Sequence, residues 1–211
     1  MDCKVITLIF AVQLHRGVEQ LVARRAHNPE VVGSSPASAT TKEKSKGFSF
    51  FYFSPRNFYI MKKKILFICH GNICRSPMAE FVFKALVRTY GLEDMFYVES
   101  AAVSTEEIGN PIYPPAKRCL TQHGVAFDKN KTSRQVTPED YKNFDLLICM
   151  DNSNIRLLKR IIGDEDPDNK VHLMMSYTGE FRDVADPWYT GDFETTFQDV
   201  LSASEAFLKM I

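Results

Sequence analysis

A chain of 211 residues that is 45% hydrophobic and 25% charged has enough apolar material for one globular domain and too much for a disordered polymer. Its formal charge of zero excludes the overall basic footprint of a nucleic-acid binder, although residues 1–60 carry eight Lys or Arg against four Asp or Glu and the remainder is net acidic. No stretch reaches the roughly 20 apolar residues of a membrane span, and five cysteines (Cys3, Cys69, Cys74, Cys119, Cys149) without paired spacing exclude a secreted disulfide framework, which predicts a cytoplasmic setting.

The first sixty residues do not read like the rest. KVITLIFAVQL is short, is broken by Thr7 and Gln13, and meets no small-residue cleavage site, so it does not fit a secretory signal. HNPEVVGSSPASATTKEKSKG lacks periodicity, and FSFFYFSPRNFYI is an aromatic cluster with no neighbouring pattern to pack against. Back-translation offers an origin. Gly33 to Pro36 can be encoded as GGT TCG AGT CCN, like the T-arm of a transfer-RNA gene, and Ala26 to Pro29 as GCT CAT AAC CCN, like an anticodon loop. Residues 17–40 are therefore expected to resemble a translated methionine transfer-RNA gene, with residues 1–60 an extension from a misassigned start and the natural product beginning at Met61.

From Met61 onward strands and helices alternate. KILFIC (64–69) and FDLLICM (144–150) are continuous apolar runs of the kind buried in a parallel sheet, with MFYVESA (95–101) and KVHLMMSY (170–177) as two further strands. Between them, Met78, Phe81, Val82, Ala85 and Leu86 recur at helical spacing after Pro77, which suits a first helical position. PPAKRCLTQHG stops at Gly124, and SNIRLLKRIIG at Gly163. In the last helix, from Phe193, Phe197, Val200, Leu201, Ser204 and Leu208 share a face. The order predicts a doubly wound α/β fold with function at the carboxyl ends of its strands.

One motif carries chemistry. Cys69 closes the first strand, and Arg75 and Ser76 open the next helix, so C-x-x-x-x-x-R-S forms a phosphate loop around a nucleophile. Backbone N–H groups and the positive end of a helix converge there and bind a dianion with few charged side chains. Gly71 is expected to let the loop turn, and Arg75 to offer a bidentate pair of donors. The same field favours the thiolate of a cysteine so placed, and Ser76 could hydrogen-bond to that sulfur.

ILFICHGNICRSPMAE resembles the signature of the low-molecular-weight protein tyrosine phosphatases, bacterial type, and DLLICMDNSN and DPWYTGDFETTF are similar to later landmarks of that family. The resemblance covers residues 61–211. It implies a three-layer, flavodoxin-like fold of the phosphotyrosine protein phosphatase I type, with a four-stranded parallel sheet and helices on both faces. It also implies hydrolysis through a phosphocysteine, with no cofactor or metal. Cys69 would be the nucleophile and Arg75 the phosphate clamp. The loop residues His70, Gly71, Asn72, Ile73 and Cys74 would bind phosphate with it. Asp186 would be the general acid and then the base; read from its residues alone, it serves equally as a turn cap before Pro187. Asn72, Ser76, Ser100 and His123 match positions of a network that shapes the loop, although His123 alone reads as a helix-end residue. Trp188 and Tyr189 would stack on the substrate ring.

Cys74 is either a small buried filler or, as the resemblance implies, a redox partner that protects Cys69. Cys119 and Cys149 read as packed thiols. The implied partner is a phosphotyrosine protein, a bacterial tyrosine kinase among the candidates, and the implied state is a monomer. His70 and the acids Glu106 and Glu107 depart from the family pattern near the mouth and would disfavour very acidic peptides. An arsenate reductase needs closely spaced resolving cysteines, whereas Cys119 and Cys149 lie far apart in regular elements. An arginine phosphatase places threonine where Ile73 stands. A metal or redox module built on Cys69, His70 and Cys74 lacks a fourth ligand and has Arg75 beside it.

Overall fold

Lys63–Cys69 forms β1, whose apolar residues feed two cores in alternation: Ile65, Phe67 and Cys69 enter one, Leu66 and Ile68 the other. Burial on both faces is why this strand reads as a continuous hydrophobic run. The computed structural model describes residues 62–163 and 165–210, so the expected extension and its boundary at Met61 lie outside the described residues. Among those residues no helix is long and apolar enough to cross a membrane.

β1 pairs in parallel with β2 (Phe96–Ala102) on one side and β3 (Leu146–Cys149) on the other, and β3 pairs with β4 (Val171–Leu173). The order is β2-β1-β3-β4. The helices are α1 (Arg75–Thr89), α2 (Pro114–Gln122), α3 (Pro138–Asn143), α4 (Asn152–Ile162), α5 (Pro187–Thr190) and α6 (Phe193–Lys209). Met78, Phe81 and Phe83 of α1, Leu120 of α2, and Phe197, Val200 and Phe207 of α6 fill the first core. Phe83 anchors it through ring contacts with Phe67, Phe96 and Phe207. Leu158 of α4, with Tyr141 of α3 and Phe144 just beyond it, covers the opposite face. The result is the three-layer, flavodoxin-like α/β fold with helices on both faces of a four-stranded parallel sheet.

The first helix begins at Arg75, as the motif predicts, with Pro77 in its first turn, where its missing N–H would have had no partner. Two details differ from the sequence reading. KVHLMMSY is a strand only over Val171–Leu173, because the register with β3 runs out at Cys149↔Leu173. Met174–Thr178 then turns as a 3₁₀ helix and sends Met174 and Met175 into the first core. The short helix α3, not anticipated, is set by a capping box: the Thr137 side chain accepts from the Asp140 N–H, and the Asp140 side chain accepts from the Thr137 N–H.

The connections place the site. From β1 the chain crosses to β2 on one side and later returns to β3 on the other, which opens a crevice at the carboxyl ends of β1 and β3. Cys69 is the last residue of β1, and Asp151 follows β3 by two residues.

Candidate active site

The loop between β1 and α1 holds its carbonyls outward. Those of Cys69, His70, Gly71, Ile73 and Cys74 accept from Val103 N, Ser104 N, Ser133 Oγ, Tyr113 N and Met78 N respectively. In a trans peptide the N–H points opposite to the carbonyl, so the amides are the groups left for the inside of the loop. The turn itself is made by Asn72, at φ 54°, a left-handed conformation that Asn tolerates better than most residues. Gly71 does not make the turn expected of it. Its φ is not positive; a Cβ there would stand 3.0 Å from Glu107 Cγ.

A chain of donors points at the sulfur. Cys69 Sγ accepts from Asn72 N at 3.2 Å and from Ser76 Oγ at 3.1 Å. Asn72 Nδ2 donates to Ser76 Oγ and to Ser100 Oγ, each at 2.8 Å, and Ser100 Oγ donates to Glu80 Oε2 at 2.6 Å. Asn72, Ser76, Ser100 and Glu80 are all buried. Lys131 completes the chain, with Nζ 3.2 Å from Glu80 Oε2 and donating to the Ser100 carbonyl.

His123 is not in this network. It follows α2, where its ring stacks on Phe197 and its Nε2 lies 2.8 Å from Glu194 Oε2. Lys131 holds the expected place because the strand-like bridges at Thr132 and Gln135 carry its segment past the end of β2. Neither Lys131 nor Glu80 stands out in sequence, since a lysine and a helical glutamate read as solvated surface.

Arg75 is only 4% exposed and binds two carboxylates. Nη1 donates to Asp151 Oδ2 at 2.6 Å, and Nη2 lies 2.7 Å from Asp186 Oδ2. Burial opposes its charge, but Cys69, Asp186 and Asp151 outweigh burial and raise its pKa further above the ordinary value. Asp151 was missed from sequence. Its other oxygen accepts from Asn154 N and caps α4, so strand β3 and the helix after it fix the carboxylate that aims the guanidinium.

Asp186 caps the turn before Pro187 and also reaches Arg75. One oxygen accepts from Trp188 N and caps α5; the other meets Arg75. The segment before it is tied to α6 by Arg182, which forks onto Asp199, and by Ala185, whose N–H donates to Asp199 and whose carbonyl accepts from Thr196.

Cys69, Cys74, Arg75, Asp186, Trp188 and Tyr189 share a cavity of about 190 Å³, with His70 and Glu106 paired at 3.1 Å on its rim. Trp188 is 57% and Tyr189 86% exposed, so two aromatic faces stand at the mouth. Cys74 is held as a thiol: burial, then Cys69, pushes its pKa up to about 12. Cys149 is raised by burial and then by Asp151, inside β3.

The family profile described as low molecular weight phosphotyrosine protein phosphatase matches residues 64–211. The low molecular weight phosphotyrosine protein phosphatase of Gallus gallus is 41% identical over 151 residues, 70% of this chain and 94% of that protein. Among solved structures, YfkJ from Bacillus subtilis superposes with a TM-score of 0.68 at 36% identity, covering 72% of this chain and 95% of that one. SP-PTP, the low molecular weight protein tyrosine phosphatase from Streptococcus pyogenes, gives 0.63 at 40% identity, covering 71% and 93%. With Cys69, Arg75 and Asp186 gathered at the switch point of the same fold, the chain belongs to the low molecular weight phosphotyrosine protein phosphatase family.

Proposed function

We propose that this chain hydrolyses phosphotyrosine in proteins, and small aryl phosphates, through a phosphocysteine. The observation that carries the reading is the shared guanidinium: Arg75 reaches from the loop around Cys69 to Asp186, 111 positions downstream of it, inside one cavity. A phosphoryl dianion entering the loop takes the amide donors and competes with the two carboxylates for Arg75, which frees Asp186 toward the leaving oxygen. Cys69 Sγ attacks phosphorus, the bond to the phenol oxygen breaks, and Asp186 gives that oxygen its proton. Water then attacks the phosphocysteine, Asp186 takes a proton from it, and the sulfur leaves as thiolate. Ser76 Oγ and Asn72 N, already bonded to that sulfur, stabilise the leaving charge.

Trp188 and Tyr189 flank the ring of the substrate, and Ile73 favours tyrosine over arginine phosphate. The protein acts as a cytoplasmic monomer on phosphotyrosine proteins, with a bacterial tyrosine kinase as candidate partner. After peroxide converts Cys69 to the sulfenic acid, the Cys74 thiol displaces water to form a disulfide, which guards the nucleophile.

The purified full chain should hydrolyse p-nitrophenyl phosphate and phosphotyrosine, and phosphoarginine poorly, with Cys69→Ser removing turnover. Turnover that survives Cys69→Ser defeats the reading. An Asp186→Ala trap should retain phosphotyrosine proteins from a lysate, and elution by vanadate identifies them as active-site ligands.

A further inference from the structure

The sequence reading separates Cys119, a packed thiol, from His123, a member of the loop network, and gives Glu194 no role. The fold brings the three together. Cys119 and His123 stand four positions apart at the end of α2, on one face, and Glu194 lies in the first turn of α6 opposite them. One ligand atom from each lies within 4.8 Å of the other two. The imidazole is held flat on the Phe197 ring, with centroids 3.8 Å apart and 10° between planes, so packing fixes its direction. The sulfur faces the Phe193 carbonyl at 3.5 Å, next to the Glu194 backbone.

We propose that Cys119, His123 and Glu194 form a binding site for a borderline divalent transition cation, zinc(II) above all, with a fourth position open to the neighbouring cleft. Thiolate, imidazole and carboxylate are the donor types zinc takes, at bond lengths of about 2.0–2.3 Å, which sets tetrahedral donors roughly 3.3–3.8 Å apart. The His123–Glu194 separation of 2.8 Å is below that range, and it widens by rotation of a glutamate whose side chain is 57% exposed. Binding replaces the hydrogen bonds of His123 to Glu194 and of Cys119 to the Phe193 carbonyl by metal bonds; the Nε2 proton of His123 passes to solvent or through it to Nδ1, and the Cys119 thiol proton passes to solvent, as the nitrogen–metal and sulfur–metal bonds form.

The adjoining cleft is the larger of the two, at about 460 Å³, and Cys119, Glu194, Tyr113 and Trp188 line it. It lies outside the loop around Cys69, so the phosphatase reading leaves it without a role. Three protein ligands beside such a cleft match the open type of zinc site, in which water or a ligand takes the remaining position. A cation there would also tie α2 to the start of α6, just after the segment that carries Asp186. The inference does not depend on the phosphatase reading.

Turnover does not isolate this site, because Cys69 carries the reaction and is a second thiol that a metal titration must exclude. The full chain carrying Cys69→Ser should therefore be titrated with cobalt(II) and then with zinc(II). One equivalent of cobalt should give a thiolate-to-cobalt charge-transfer band and tetrahedral d–d bands, both removed by zinc. Adding Cys119→Ser should remove the charge-transfer band, and adding Glu194→Gln should weaken cobalt binding about tenfold or more. No such band in the Cys69→Ser protein, or a band unchanged by Cys119→Ser, overturns the proposal. If circular dichroism shows Cys119→Ser unfolded, Glu194→Gln and His123→Gln decide, and unchanged cobalt affinity in both overturns it equally.

Discussion

The loop from Cys69 to Arg75 and the segment from Arg182 to Tyr189 meet on one guanidinium, yet they are built by opposite means. In the first, Asn72 and its supports Ser76 and Ser100 are at most 1% exposed; both hydroxyls and the carbonyls of Cys69, His70, Gly71, Ile73 and Cys74 have their partners. In the second, the chain is tied to α6 at Ala185 and capped at Asp186, and the tip beyond stands in solvent with Tyr189 86% exposed. The difference follows from what each must do. A cradle that meets a dianion with fixed dipoles gains only if those dipoles are oriented beforehand. A general acid must reach leaving oxygens on differently shaped proteins and then withdraw for water, which a tip tethered at its base permits.

Replacing the acid should break the comparison most severely. Asp186→Asn is expected to lower kcat for phosphotyrosine about 10³-fold. It should lower kcat for p-nitrophenyl phosphate much less, because p-nitrophenolate departs without a proton. Steady-state kinetics on both substrates checks this; equal losses would mean that Asp186 acts through Arg75 and not as an acid.

Removing one donor from the cradle should cost less and look different. Ser76→Ala takes away the O–H that reaches the sulfur, and kcat should fall about a hundredfold, on the scale of a lost preorganised donor. The loss belongs to the second step, so rapid quench should find phosphocysteine accumulating. No accumulation would place the Ser76 effect in the first step. The two thiols of the cradle offer a further contrast. With the Cys74 thiol pushed up to about 12, iodoacetamide at pH 8 should label Cys69 and leave Cys74 unlabelled in peptide mass spectra.

How much of this was legible in sequence divides along the same line. The cradle is contiguous, so Cys69, Asn72, Arg75 and Ser76 announce themselves within eight positions, and the buried strand before them reads directly from KILFIC. What supports the cradle is not contiguous. Asp151 was within a quoted landmark but had no assigned partner until the sheet order set β3 beside β1. Of the four residues expected in the loop network, Asn72, Ser76 and Ser100 meet, whereas His123 sits at the end of α2, its helix-end reading, and packing brings Lys131 to the network instead. Gly71 was credited with a turn that Asn72 makes, and the tight 3.0 Å contact a Cβ would meet there comes from Glu107, a residue of another loop. Residue type indicates which chemistry is present; only the fold indicates which neighbours share it.

Lys131 offers a milder perturbation of the rigid side. Lys131→Met leaves Glu80 with Lys84 as its remaining cation and removes the donor to the Ser100 carbonyl. With Ser100 and Asn72 between it and the sulfur, the change should lower kcat about fivefold, on the scale of one charge-assisted hydrogen bond partly compensated. Inhibition by inorganic phosphate should weaken in parallel, since the same loop binds it. Lys131→Arg should recover most of both.

The smallest effect should come from the tether of the acid segment. Asp199 is 6% exposed and accepts from both terminal nitrogens of Arg182, at 2.9 and 2.7 Å, and from Ala185 N at 3.0 Å. In Asp199→Asn the side chain keeps one acceptor oxygen, so the fork is lost and Arg182 has only the exposed Glu180 left to pair with. Stability should fall by about 1 kcal/mol, on the scale of one hydrogen bond, because the half-exposed Arg182 turns to water, and this should appear as a lower melting temperature. Catalysis should suffer less. Asp186 still meets Arg75, whose position is set by Asp151 on the other side of the crevice, so the acid continues to dock while its base is loosened. The expected result is a kcat for phosphotyrosine lowered about threefold, on the scale of a few tenths to one kcal/mol, with inhibition by inorganic phosphate unchanged. If phosphate inhibition weakens as much as kcat falls, the acid segment and the cradle are one mechanical unit, and the separation drawn between them is wrong.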